Sequence, residues 1–459
     1  MSNDNKATGY LPDERPPFWK LLLYAVQQII VMFPATILVA LITGFHLSTT
    51  IFASGLATLG FLFVTGRKIP LYYGSSFAYL SAIIGLSGGV EFGQVLPDAT
   101  ISVVQFGIMA SGLVSIVAGL IVRRFGREAI EKVLPPTITG PVAIIIGLTL
   151  AGNALTDAAP AAGGTGITAT NFVWVVSLVT LLATILFSVY LKGVWGQIPL
   201  LLGPIAGCLV AGGILLFTDQ SMFRALPPAA YSGTPLIPGF LSLPHFTLPM
   251  PSWAAVLAIM PIAIATIPES TAHVFQLDIY VNNLAKKKKT GKTYDIGDRL
   301  GSNLIGDGIG DIISAAIGGP AGTNYGENIS AMAITRVFSV PVLMTAAIVA
   351  MVLACVTPLV NVIYAIPQAV IGGIEIYLFG AIAAQGIAIM IERKADMFDS
   401  KNIAVIAVIM IIGIGGQYAF GGSIPFFGLK VPCVAGAAVA GILLNLLLSI
   451  GKKRTTSED

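Results

Sequence analysis

Charge is scarce in this sequence: of 459 residues, 10% are Asp, Glu, Lys or Arg, against 55% that are hydrophobic. A soluble globule covers itself with roughly 25% charged residues. A water-facing protein is therefore excluded, and most of the surface must face lipid. Cysteine is nearly absent too. Cys208, Cys355 and Cys433 each lie inside an apolar run without metal-ligand spacing, which argues against a disulfide framework or a zinc module and leaves them as packing residues. The start of the chain lacks the basic stretch and short apolar core of a cleaved signal, so residues 1–18 read as a polar tail. Short alternating segments are missing as well. Continuous apolar runs such as Val104 to Val122 and Ile403 to Ile414 exclude a transmembrane β-barrel. A net charge of +3 gives no support to nucleic-acid binding.

What is present is a series of apolar stretches near the ~20 residues that cross a bilayer. They fall at 19–43, 47–65, 69–88, 100–122, 130–155, 171–191, 197–218, 253–280, 297–319, 320–338, 339–361, 365–391, 403–420 and 430–451. The sequence thus predicts an all-α polytopic membrane protein of fourteen spans. Lys and Arg concentrate on the cytoplasmic side of such proteins, which tests the count independently. With the N-terminus inside, 23 of the 25 basic residues fall on inside segments, Arg224 and Lys430 being the exceptions. Both termini are then cytoplasmic.

The break from Arg224 to Trp253 carries seven prolines and divides seven spans from seven. An odd number per half requires any repeat to be inverted across the membrane, as in many secondary transporters. The expected organisation is a tail at 1–18, a first repeat at 19–235, a second at 236–451 and a tail at 452–459. The third and tenth spans share one oddity. Pro70-Leu-Tyr-Tyr-Gly74-Ser-Ser-Phe77-Ala and Pro320-Ala-Gly-Thr-Asn-Tyr325-Gly326-Glu327-Asn328 are short polar breaks at matching places in the two halves. Irregular backbone at membrane depth is tolerated where it lines a cavity or is buried in protein, so the pair points to a central binding site. Close helix packing through Gly and Ser is the competing reading.

Ionisable residues within spans are costly and mark functional sites by default. Here they are Glu269, His273, Asp307, Asp311, Glu327 and Glu375. Glu269 and His273, four apart, share a helix face, and Pro268 can open the backbone beside them. Glu327 offers a carboxylate among backbone N–H groups in the tenth-span break. That combination suits a small planar solute with both donors and acceptors, and exchangeable carboxylates are what a proton-coupled carrier needs. For Glu269 with His273 the alternative is an interhelical hydrogen-bond pair. For Asp307 and Asp311 a site role and a solvated or cation-capping role near the cytoplasmic end both stand. Glu375 has no polar neighbour in sequence. Lys286 to Lys289 reads as a solvated topology determinant, with contact to anionic membrane lipids as a lesser option. His46 and His245 receive no role.

Gly322-Thr-Asn-Tyr-Gly-Glu-Asn-Ile-Ser followed by Thr335-Arg336 resembles the nucleobase/ascorbate transporter family, specifically its bacterial uracil permease branch. Gly74-Ser-Ser-Phe-Ala78, Glu269 to His273, and Gly306-Asp-Gly before Gly318-Gly-Pro320 resemble it too, in the same order and spacing. The resemblance implies a 7+7 inverted repeat with a core domain (spans 1–4 and 8–11) and a gate domain (spans 5–7 and 12–14), with short extended segments in spans 3 and 10. It implies a carrier rather than an enzyme, importing uracil across the bacterial inner membrane with H⁺, Na⁺ staying open, without a cofactor, and paired as a homodimer. By the same resemblance Phe77, Glu269, Tyr325, Gly326 and Glu327 contact the base, Ser76 and Asn328 support them, and Glu269, His273 and Glu327 carry proton coupling. An acidic residue at 327 favours uracil, since relatives that take xanthine or urate tend to have Gln there. The chain departs from the pattern at Gln27-Gln28, Pro34 and Ser330. A xanthine or purine permease, an anion carrier on the same scaffold, and a membrane-embedded lipid-processing enzyme are the rival readings.

Overall fold

The computed structural model describes residues 9–450 other than 92, 127, 194 and 227–232. The predicted tail at 452–459, the basic residues Lys6, Arg127, Lys452, Lys453 and Arg454, and Pro227 and Pro228 lie outside the described residues. The first part of the chain forms α1 (Phe18–Thr43), α2 (Leu47–Val64), β1 (Tyr73–Ser75), α3 (Leu80–Ser87), α4 (Asp98–Phe125), α5 (Glu128–Val133), α6 (Pro136–Thr149), α7 (Ala151–Ala158), α8 (Phe172–Tyr190) and α9 (Pro199–Thr218). After a hairpin of β2 (Pro235–Ile237) and β3 (Leu241–Ser242) come α10 (Trp253–Ile259), α11 (Ala263–Lys287), α12 (Leu300–Ala316), β4 (Gly322–Asn324), α13 (Gly326–Thr335), α14 (Val340–Ala354) and α15 (Thr357–Tyr364). The chain ends with α16 (Gln368–Glu392), α17 (Ser400–Phe420), the hairpin β5 (Ser423–Phe426) and β6 (Leu429–Pro432), and α18 (Cys433–Leu447).

Among the described residues, nine helical segments are long and apolar enough to cross a bilayer, and three shorter apolar helices accompany them, at Phe77–Ser87, Val340–Ala354 and Cys433–Leu447. The protein is a multi-pass membrane protein. Its outer surface is correspondingly apolar: Leu182, Leu209, Leu216, Phe217 and Ile411 stand exposed on α8, α9 and α17, where lipid replaces water.

The helices pack in two sets. In one, α4 lies against α12, α2 against α12 and α14, α1 against α14 and α10 against α4, with α11 joined through α4 and α12 and α13 through α1; in the other, α16 packs on α6, α7 and α8, α8 on α9, and α17 on α6 and α18. Small residues set the closeness within each. A Cβ built on Gly112 would stand 2.5 Å from the Gly308 carbonyl oxygen, and one on Gly119 2.6 Å from that of Gly301, so α4 and α12 meet backbone to backbone. Gly140 of α6 and Gly386 of α16 do the same in the second set.

The third and tenth predicted spans are only partly helical. β1 and β4 pair antiparallel, with Tyr73 opposite Asn324, Gly74 opposite Thr323 and Ser75 opposite Gly322. Pairing satisfies the backbone groups that an extended segment would otherwise leave unbonded in the membrane interior. The near end of the N-terminal tail is docked rather than free. The Tyr10 amide donates to the Arg336 carbonyl at 2.8 Å and the Phe338 amide to the Tyr10 carbonyl at 2.7 Å, Leu11 is buried, and Lys288 pairs with Glu14 at 2.6 Å. One lysine of the basic run is therefore structurally engaged.

Candidate functional site

Each strand of the β1/β4 pair runs directly into the N-terminus of a helical segment. β1 leads through Ser76 into a 3₁₀ turn at Phe77–Tyr79, and β4 leads through Tyr325 into α13. The first amides of a helix lack intrahelical acceptors, and the helix dipole places partial positive charge there. Tyr325 gives α13 no side-chain cap. The start of α13 thus offers backbone amides without an N-cap side chain, with the Glu327 carboxylate beside them.

These two N-termini face a cavity of about 290 Å³. That is the lower end of the ~300–1,000 Å³ range of small-molecule sites. Its walls come from both helix sets: Phe77 and Ala78, Glu269 and His273 of α11, and Thr323 to Glu327 from the first, and Thr139 of α6 with Leu378 and Gln385 of α16 from the second. Phe77 meets Phe379 of α16 edge to face, with ring centroids 6.0 Å apart. The cavity thus sits at the seam between the sets. Glu327 and Ser330 also border a second cavity of about 310 Å³, lined by Pro34, Ser188, Ile198 and Tyr377.

The structure brings Phe77, Glu269, His273, Tyr325, Gly326 and Glu327 together on the first cavity. His273 is buried and presses its Nε2 on Gly326, where an added Cβ would lie 2.8 Å away. Its Nδ1 has no hydrogen-bond partner among the described residues. Tyr325 points its hydroxyl away from the cavity, 2.9 Å from Thr36 Oγ1 of α1 and donating at 3.0 Å to the Ser75 carbonyl. Its ring packs on Gly74, where a Cβ would come within 2.5 Å of it. Ser76 caps the 3₁₀ turn by accepting from the Ala78 amide at 3.3 Å. Asn328 donates to the Gln28 carbonyl and side-chain oxygens, both at 2.9 Å, and so ties α13 to α1. The departure at Gln27-Gln28 thus supplies a partner for Asn328.

Behind the strand pair lies a polar network whose centre the sequence left open. Asp307 and Asp311 are buried, which excludes the solvated reading. Asp307 accepts from Asn324 at 2.7 Å, from Asn303 at 3.2 Å and from Ser270 of α11 through a short bond. Asp311 accepts from the Gly322 amide at 2.7 Å and from the Tyr73 hydroxyl at 2.8 Å. The two carboxylates therefore anchor β4, β1 and the Glu269-bearing helix. Sequence reading missed Tyr73, Ser270, Asn303 and Asn324. The four-residue spacing of Asn303, Asp307 and Asp311, which puts three polar groups on one face of α12, was the available signal. Glu375 lies elsewhere, fully buried on α16 and facing Asp157 of α7, and it does not line the cavity.

A family model described as "Permease family" matches residues 19–422. Among curated proteins, the chain is 36% identical to a uracil permease of Bacillus caldolyticus, covering 95% of this chain and 93% of that one. It is 33% identical to the putative pyrimidine permease RutG of Escherichia coli (strain K12), covering 95% and 91%, and 32% identical to a uracil permease of Bacillus subtilis (strain 168), covering 95% and 94%. Among solved structures it is similar in fold to the transmembrane domain of the cyanobacterial bicarbonate transporter BicA, with TM-score 0.57 at 16% identity over 93% of this chain and 96% of that one. It is similar also to the murine anion transporter Slc26a9 in the inward-facing state, with TM-score 0.64 at 14% identity over 98% and 73%.

Proposed function

The chain belongs to the permease family that its motifs resemble, the nucleobase/ascorbate transporters, and is a transporter rather than an enzyme; on that premise we propose that it imports uracil by proton symport with alternating access. The observation that carries the reading is the meeting of Glu269 and Glu327 with the uncapped N-terminus of α13 on one small cavity. A pyrimidine ring presents N–H donors beside carbonyl acceptors. Two carboxylates accept the former, and the amides near Gly326 and Phe77 donate to the latter. The relatives that carry the name uracil permease support this choice of base.

In this reading the chain forms fourteen spans as two inverted halves, 19–235 and 236–451, with both tails cytoplasmic, in the bacterial inner membrane. The first helix set is the core domain and the second the gate. A cavity walled by both sets is closed on either side by a relative shift of the two. Glu269, His273 and Glu327 take up and release the coupled proton, Ser76 and Asn328 hold the two helix starts, and Tyr325 contributes its backbone and its packing on Gly74. Copies of the chain pair through the gate. Polar groups concentrate at the seam within the membrane, which favours a carrier over a loop-based catalytic centre.

Radiolabelled uracil uptake into proteoliposomes tests the whole reading. Accumulation is expected with an inward proton gradient in sodium-free buffer and not without it, and uptake indifferent to the gradient sinks the coupling. Competition by unlabelled thymine, xanthine and uric acid ranks the bases, with uracil expected to compete best. For His273→Ala, transport is expected to fall about 100-fold or more, in the range of one general acid–base group, while calorimetric uracil affinity changes much less. Equal losses in both would reduce His273 to a packing residue.

A further inference from the structure

The chain has three histidines. One faces the cavity; the other two, 199 positions apart in sequence, meet at one end of the helix bundle. His46 immediately precedes α2, and His245 lies in the irregular segment between β3 and α10. Between them stands Asp98, the first residue of α4. His46 Nε2 is 3.4 Å from Asp98 Oδ1, and His245 Nε2 is 2.8 Å from Asp98 Oδ2. The imidazole centroids are 4.6 Å apart and tilted by 54°. One donor atom from each residue lies within 4.8 Å of the other two. The geometry points to a divalent transition-metal site, of the zinc type, formed by His46, His245 and Asp98.

Zinc takes imidazole nitrogen and carboxylate oxygen at about 2.0–2.1 Å, tetrahedrally. Ligand atoms on such a tetrahedron stand about 3.3 Å apart; here His46 Nε2 lies 3.4 Å from one Asp98 oxygen and His245 Nε2 2.8 Å from the other, and one atom from each residue falls within 4.8 Å of the other two, so side-chain adjustment about the ion completes the set. Two imidazoles with one carboxylate select zinc and its borderline neighbours over calcium and magnesium, which prefer all-oxygen shells. Three protein ligands leave a fourth position for water on the exposed side, where Asp98 is 56% accessible and His46 only 6%.

The backbones that carry the ligands are fixed by bonds outside the cluster. The His245 carbonyl accepts from Thr49 Oγ1 of α2 at 2.5 Å. Two residues on, Thr247 and Gln105 of α4 exchange hydrogen bonds at 2.8 and 2.9 Å. The Leu96 amide donates to the Gly44 carbonyl at 2.7 Å, holding the approach to α4 against the α1–α2 turn. Metal binding therefore needs side-chain adjustment on a backbone already held in place. Its consequence is a cross-link: the segment entering the second half of the chain becomes tied to α2 and α4 of the first half.

The test uses full-length, tag-free protein, stripped with chelator and titrated with Zn²⁺ by calorimetry and with Co²⁺ by visible absorption. One Zn²⁺ per chain at micromolar affinity or tighter is expected, with a melting temperature that rises with Zn²⁺ as linkage requires. Co²⁺ is expected to give the intense visible bands of a four-coordinate site. His245→Ala and Asp98→Asn, both at accessible positions, are expected to weaken Zn²⁺ by more than the ~10–100-fold seen for loss of an outer-shell partner and to abolish the Co²⁺ bands, while retaining uracil uptake as evidence of folding. His46→Gln serves as a third variant at the buried position. Absence of Zn²⁺ binding at 100 µM in wild type, or binding equal in wild type and His245→Ala, overturns the proposal and leaves the cluster a hydrogen-bonded clamp.

Discussion

Glu327→Gln is expected to abolish detectable uracil binding and uptake while leaving the protein folded. The substitution keeps the side chain's volume, so the surrounding packing, including the approach of His273 to Gly326, is undisturbed. It replaces an acceptor-only carboxylate by an amide whose nitrogen presents a donor. A hydrogen bond to a charged group contributes ~1.5–3 kcal/mol, and a mispaired donor adds the cost of a group left unbonded in a dry site. Together these correspond to a loss of roughly 100-fold or more in affinity. Glu327 has a second reason to be acidic. It is the second residue of α13, where the helix dipole and the uncapped amides favour negative charge. Calorimetry on purified variant and wild type decides the matter: a variant that binds uracil normally refutes the assignment of the site. Glu269→Gln is the paired control, and a similar loss is expected because that carboxylate lines the same cavity from α11.

The sequence exposed this site unevenly, and the reasons are physical. Hydropathy located the helices because lipid demands long apolar runs, and the polar breaks at Tyr73–Ser75 and Gly322–Asn324 were visible as interruptions of those runs. Their matching places pointed to a shared site, but that they form one antiparallel pair depends on a pairing register that periodicity does not encode. Glu269, His273 and Glu327 were legible because a charge or imidazole within a span is costly and so stands out. Asp307 and Asp311 were visible as residues but not as a location: spacing fixes a shared helix face, and which neighbour that face meets depends on tertiary packing. The same holds for Glu375 and Asp157, 218 positions apart, and for the two outer histidines, each inconspicuous alone. The direction of the Tyr325 hydroxyl was not legible either: the residue lines the cavity, while Gly74 leaves room for its ring to turn toward α1. The docking of residues 10–14 depends on backbone amides around Val337, which no polarity pattern reveals.

Asp307→Ala is expected to disable the protein more broadly than any change in the cavity wall. Its carboxylate accepts from Ser270, Asn303 and Asn324, three side chains on three elements. Removing it takes an acceptor from three buried donors, of which Asn303 and Asn324 keep bonds only to Ser270 and to each other, and a buried group left short of a partner costs about 1–3 kcal/mol. Asn324 belongs to the strand that positions α13, and Ser270 follows Glu269 directly on α11. Loss of Asp307 therefore loosens both carboxylates that face the cavity. A fall of several degrees in detergent melting temperature and loss of uracil binding are expected together. Asp307→Asn separates the two roles the carboxylate could play. Its remaining oxygen keeps the bond from Asn324 while the bonds from Ser270 and Asn303 to the other oxygen are lost, so stability and binding are expected to return to within about 30-fold of wild type, as two hydrogen bonds at ~1 kcal/mol each allow. If instead Asp307→Asn folds and binds like wild type but transports nothing in the gradient assay, Asp307 carries the coupled proton, and the proton assignment moves from the cavity wall to the network behind the strands.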